Sequence, residues 1–148
     1  MSPTARVVCL ECGAINRVPA GRSADAAKCG SCGKLLFTGQ PRDVGAAMLT
    51  RQIEKGTVPV VVDVWAAWCG PCKAMAPEYQ QAAAATEPAA RFLKLDSDAE
   101  QAMSANLGIR SIPTMLLFSG GKEVGRVSGA MPSARIRAWI ADQLARAG

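Results

Sequence analysis

The feature that most constrains this chain is a set of three cysteine pairs, each with two residues between its members, in a sequence that contains no histidine. The pairs are Cys9/Cys12, Cys29/Cys32 and Cys69/Cys72, and they account for all six cysteines. Without histidine there is no imidazole metal ligand, no histidine general base and no Ser/His/Asp triad, so the chemistry must rest on sulfur. Equal spacing does not imply equal work, because the surroundings differ. The first two pairs lie in a stretch rich in glycine, serine and charge, and each is followed directly by a glycine, Gly13 or Gly33. The third follows the most apolar stretch of the chain, Val58 to Trp68.

Sixteen residues separate Cys12 from Cys29, inside the C-x2-C-x15-20-C-x2-C window of tetrathiolate zinc sites. Each pair can turn as a tight knuckle that presents both sulfurs to one side, with Gly13 and Gly33 letting the backbone bring its N–H groups near them. The first forty residues hold few large apolar side chains, and a structural metal supplies the missing folding energy, on the order of 10 kcal/mol or more. The expectation is one structural Zn2+ held by Cys9, Cys12, Cys29 and Cys32, with no open position for catalysis. Iron competes, since such knuckles also resemble those of rubredoxins, and colour separates the two metals. Two structural disulfides would instead need an oxidising compartment. The opening residues Met1 to Cys9 carry no apolar signal core with a small-residue cleavage site, so the expected setting is the reducing cytoplasm. Strong oxidants would close each knuckle on itself and release the metal, unfolding residues before about Pro41 while the remainder stays folded.

Gly39-Gln40-Pro41 brings two turn formers together and marks a boundary between units 1–40 and 41–148. Beyond it, period and turn chemistry predict a helix over 43–55 with Asp43 as a possible cap, and a valine-rich buried strand over 58–65. A helix from Cys69 to about Thr86 should kink or break at Pro77, ahead of a strand over 91–95 and a helix over 98–106. Strands over 114–118 and 123–128 meet across Ser119-Gly120-Gly121-Lys122 as a hairpin, and a last helix begins at Pro132 with Ile136, Ile140 and Leu144 on one face. Such alternation, ending in a hairpin and a helix, describes an α/β fold built on a mixed sheet.

Charge argues against nucleic acid. Residues 1–40 carry five basic and two acidic side chains, and residues 41–148 carry twelve and ten. A tetrathiolate metal site adds about −2 to the first segment, so the basic surplus there nearly vanishes, and no Lys/Arg cluster remains. No run approaches the roughly 20 apolar residues of a membrane helix, and no glycine-rich nucleotide fingerprint is present.

The third pair sits in Trp65-Ala66-Ala67-Trp68-Cys69-Gly70-Pro71-Cys72-Lys73, after a strand and at the start of a helix. There the helix N–H groups and dipole favour an anion, which should lower the pKa of Cys69, and Cys72 lies one turn away, within reach of a disulfide. Asp63 stands inside the run Val60-Val61-Val62-Asp63-Val64-Trp65, where a carboxylate is costly to bury. The residues alone leave a proton acceptor and a satisfied structural aspartate equally open. Lys94, on the neighbouring strand, is its candidate partner.

From about residue 43 onward the chain resembles the thioredoxin family, and as a whole it resembles the thioredoxin 2 type with its N-terminal zinc-ribbon-like module. The match rests on Asp63, Trp65, the run Trp68 to Lys73, Pro77, Lys94, the run Gly108 to Thr114, Gly120 or Gly121, and Gly129. Val64 and Leu107 depart from it, standing where the family often has aromatic residues. The resemblance implies a thioredoxin fold, a mixed central sheet flanked by helices, and a protein-disulfide reductase. Cys69 then attacks a client disulfide, Cys72 resolves the mixed disulfide, and Asp63 with Lys94 handles the Cys72 proton. The family pattern also makes the Ile112–Pro113 bond cis and facing the dithiol, with Trp68, Gly70, Pro71, Ile112, Pro113 and Gly129 forming the surface that docks client proteins. Trp65 and Trp139 are read as ordinary packing. An NADPH-dependent thioredoxin reductase is the implied electron donor, and a monomer the implied state. A disulfide oxidase or isomerase, and a zinc-ribbon adaptor without turnover, are the alternatives.

Overall fold

Residues Val60 to Val64 are all buried, each 2% exposed or less, and a strand hidden on both faces must be central. In the computed structural model, which describes residues 4–19 and 26–148, this strand, β4, spans Val60–Trp65. It runs parallel to β5 (Arg91–Asp96) and antiparallel to β6 (Thr114–Ser119). The short β3 (Arg42–Asp43) and β7 (Lys122–Ser128) complete a five-stranded mixed sheet of order β3-β5-β4-β6-β7.

Strand periodicity sorts the side chains into two layers. Val61 joins Met75, Tyr79 and Ala82 of α2 (Gly70–Thr86) and Ile136 and Ile140 of α4 (Ser133–Ala147). Val60, Val62 and Val64 turn to the other face, against Leu49 of α1 (Ala46–Lys55) and Met103 of α3 (Gln101–Asn106). Asp63 shares the parity of Val61 and so lies beneath α2. The Tyr79 hydroxyl sits 3.1 Å from Val61 O and 2.7 Å from Leu93 O, pinning α2 across β4 and β5.

The predicted elements recur with two corrections. Asp43 caps nothing: it lies in β3 opposite Lys94, α1 starts later with Gly45 as N-cap, and the Glu100 carboxylate accepts from Ala46 N at 3.0 Å. Of the kink or break expected at Pro77, the break does not occur: α2 is continuous from Gly70 to Thr86.

At the N-terminus, β1 (Thr4–Val8) and β2 (Ile15–Pro19) form an antiparallel hairpin that the sequence reading did not contain. Val7, Cys9, Val18, Cys29, Leu36 and Phe37 make a small core there, and Val58, from the segment leading into β4, packs against it. Among the described residues, no helix is long and apolar enough to cross a membrane.

Candidate functional site

Cys69 is the N-cap of α2, with extended backbone, and its Sγ accepts from the N–H of Cys72 at 3.2 Å. Pro71 falls in the first turn, where its missing N–H removes no helical bond. Cys69 and Cys72 are disulfide-bonded, with Cα atoms 5.2 Å apart. Both residues are nearly buried, at 4% and 3% exposed, so exposure does not distinguish them. Position does: Cys69 borders an open groove of about 650 Å3 and Cys72 does not.

Trp68, Gly70, Pro71 and Ile112 line the same groove, with Ile109. Trp68 is 69% exposed, and its indole N–H donates to Asp98 Oδ2 at 2.8 Å, which fixes the ring over the rim. Ile112 O lies 3.8 Å from Cys69 Sγ, and the Ile112–Pro113 bond is cis. Pro113 is buried and does not line the groove; Gly129 is exposed and donates its N–H to Pro113 O at 2.9 Å. Sequence reasoning missed a brace on this loop. Arg126 donates to Leu107 O at 2.6 Å and Gly108 O at 3.2 Å while paired with Glu123, a contact between distant segments that no local pattern announces.

Asp63, on the face of β4 that lies under α2, is 1% exposed and its Oδ1 finds no partner among the described residues. Burial pushes its carboxyl up to about 7, the nearby Lys94 cation opposes this, and the Asp43 charge adds to it. Lys94 stands opposite Asp63 in the parallel register, with Nζ 4.6 Å over the Trp65 ring. The Trp65 indole donates to Asp43 Oδ1 at 3.0 Å. Trp65 thus does more than pack, since it holds the lysine's cation against its ring and orients Asp43.

The four remaining cysteines converge. All four sulfurs lie within 4.8 Å of one another, with Cys9–Cys32 at 3.7 Å and Cys12–Cys29 at 3.6 Å. Four thiolates at about 2.3 Å from a tetrahedral metal would stand roughly 3.8 Å apart, close to the Cys9–Cys32 and Cys12–Cys29 separations, so the donor set fits zinc. Glu11 N and Ser31 N each donate to a sulfur, Cys9 and Cys29, at 3.4 Å. The N–H of Cys32, the Asn16 amide and the N–H of Ser31 lower the Cys29 thiol to about 6, readying it as a ligand. Cys9 and Cys29 are buried; Cys12 and Cys32 are exposed.

Residues 43–142 match the family model described as thioredoxin, and residues 8–34 match the zinc ribbon described as thioredoxin 2, N-terminal. The chain belongs to the thioredoxin family. Thioredoxin C-3 of Corynebacterium nephridii is 39% identical over 138 residues, covering 93% of this chain and 94% of that protein, a span that must reach into the N-terminal module. The thioredoxin of Alicyclobacillus acidocaldarius subsp. acidocaldarius is 42% identical over 94 residues, covering 64% of this chain and 90% of that one. The solved thioredoxin of Malassezia sympodialis (TM-score 0.64, 29% identity) covers 72% of this chain and 93% of its own. Chloroplastic thioredoxin z (TM-score 0.66, 27% identity) covers 72% and 96%. This thioredoxin is therefore a thiol-disulfide oxidoreductase with Cys69 and Cys72 as its active-site pair, joined to a four-cysteine zinc-ribbon module.

Proposed function

We propose that this thioredoxin reduces disulfides of client proteins in the cytoplasm as a monomer, with Cys69 as nucleophile, Cys72 as resolving thiol, and Asp63 with Lys94 as the proton-handling pair. The observation that carries the reading is the dithiol itself, capping α2 at the edge of an open groove, and the buried Asp63 carboxyl on β4 is consistent with the proton-handling role proposed for it.

In the reduced protein, the Cys72 N–H and the positive end of α2 stabilise negative charge on Cys69 Sγ. That thiolate attacks one sulfur of the client disulfide, forming a mixed disulfide and expelling the client's other sulfur as thiolate. Cys72 gives its proton to Asp63 and attacks Cys69 Sγ, closing the Cys69–Cys72 bond and releasing the second client sulfur. Two electrons have passed to the client. A carboxyl held near 7 can both take and return a proton at neutral pH. Clients dock along Trp68, Gly70, Pro71 and Ile112, with Pro113 and Gly129 supporting the loop behind. Electrons return from an NADPH-dependent thioredoxin reductase.

Cys9, Cys12, Cys29 and Cys32 hold one structural Zn2+, which ties the two knuckles together. Because Cys12 and Cys32 face solvent, oxidants reach the cage and the site is oxidation-sensitive. Zinc release followed with a dye during peroxide titration checks this, and retention of the metal until Cys69 and Cys72 are irreversibly oxidised contradicts it.

The functional assignment is tested by insulin reduction. Cys69→Ser should abolish turnover, and Cys72→Ser should still attack and accumulate mixed disulfides. Equal trapping by the two variants rules out these roles.

A further inference from the structure

Arg91 opens β5, and its residue is only 2% exposed. Among the described residues no carboxylate pairs with it in a salt bridge. Its guanidinium instead donates to two backbone carbonyls of the zinc-ribbon module, Leu36 O at 2.6 Å and Val8 O at 3.0 Å, and lies 4.1 Å from the centre of the Phe37 ring. These acceptors flank the two knuckles. Val8 precedes Cys9, and Leu36 follows the second knuckle, its N–H bonded to Ala27 O just before Cys29. One side chain of the thioredoxin domain thus bridges both halves of the metal cage.

Gln52 of α1, also buried, donates to the same Val8 O at 3.0 Å. Around this pair the seam continues. Arg51 Nε donates to Gly13 O at 2.7 Å, and Thr57 exchanges bonds with Arg6, N to O at 2.9 Å and N to Oγ1 at 2.8 Å. Arg42 pairs with Glu11 inside the first knuckle. Leu10 packs into the core beneath α1, and Val58 into that of the module.

A buried guanidinium keeps its charge, and although the Glu87 charge favours it, removing its carbonyl acceptors leaves its N–H groups unpaired inside the protein. A metal bound to four thiolates carries a net charge near −2, which a cation behind Cys9 complements. We infer that Arg91, aided by Gln52, is a positioning residue of the metal centre supplied by the thioredoxin domain, and that zinc affinity and the stability of that domain are therefore linked in both directions. The inference rests on the zinc reading of the module. It departs from the expectation that the thioredoxin core is indifferent to the metal, because the seam makes the two units one cooperative body.

The full-length chain carries its own reporter, since Trp65, Trp68 and Trp139 all lie in the thioredoxin domain. Urea unfolding followed by tryptophan emission, with and without one equivalent of zinc under reducing conditions, should show a lower midpoint in the metal-free chain. In the zinc-loaded chain, metal release should coincide with the tryptophan transition. Competition with a chromophoric chelator should show zinc affinity reduced at least tenfold in Arg91→Met and by a smaller factor, about threefold, in Gln52→Met. If Arg91→Met does not fold, the paired unfolding curves of the unmodified chain decide. A tryptophan transition that ignores zinc, or affinities unchanged in both variants, overturns the inference alone. Failure of the unmodified chain to bind zinc overturns the metal assignment with it.

Discussion

In the N-terminal module, the N–H of Gly13 donates to Cys9 O and that of Gly33 to Cys29 O, each at 2.9 Å; in the thioredoxin domain, the N–H of Lys73 donates to Cys69 O at 3.1 Å. All three cysteine pairs begin with the same closed turn. They separate at the residue that closes it. Gly13 and Gly33 both take φ +78, a left-handed setting open to glycine at little cost, and the chain reverses, leaving two sulfurs directed at the facing knuckle. Lys73 stays helical, so the turn propagates into α2 and the two sulfurs remain neighbours on one helical end. Metal ligation and redox exchange thus diverge through one backbone torsion after an identical spacing.

The largest way to sharpen this contrast is pH. Asp63 has a folded-state pKa near 7 against an ordinary value of 3.8. The folded protein therefore binds the extra proton between those values, and stability falls as pH rises through that window, by up to roughly 4 kcal/mol. The module has the opposite sign, because metal binds deprotonated thiols and weakens as pH falls. Asp63→Asn should remove the decline, leaving the variant more stable than the wild type at pH 8 and nearly equal at pH 4, while slowing release of the mixed disulfide near neutrality. Denaturation midpoints across pH, with single-turnover release, check both parts. Parallel stability profiles for variant and wild type, with unchanged release, would return Asp63 to a structural role.

A smaller effect separates the turns themselves. A Cβ on Gly33 or on Gly70 meets nothing within 4 Å, but only Gly33 has positive φ. Gly33→Ala should therefore cost about 1–2 kcal/mol through backbone strain alone, seen as weaker zinc retention. Gly70→Ala should leave unfolding midpoints unchanged or raised by about 0.4–1 kcal/mol, since it only restricts the unfolded chain. Equal effects at the two sites would remove the torsional account of the divergence.

What the sequence disclosed follows from how local each feature is. The six cysteines could be sorted because their immediate neighbours differ, and β4, α2 and the closing hairpin announce themselves by period and turn residues. Asp43 reads locally as a possible cap because its actual partners, Lys94 across the sheet and the Trp65 indole, lie far along the chain. The β1–β2 hairpin has short strands with mixed exposure and little alternation to detect. Arg91 carries no local signal for the same reason at larger scale: its acceptors lie 55 and 83 residues away.

The central claim, that one spacing serves two chemistries in the same chain, is tested most directly by counting thiols against metal. With the chain reduced and zinc-loaded, a chromogenic disulfide reagent should react quickly with two thiols while one zinc per chain stays bound. The other four should react only after a chelator removes the metal, and the two fast thiols should be absent from Cys69→Ser/Cys72→Ser. Six thiols of equal reactivity, or loss of zinc in step with the first two, would contradict it.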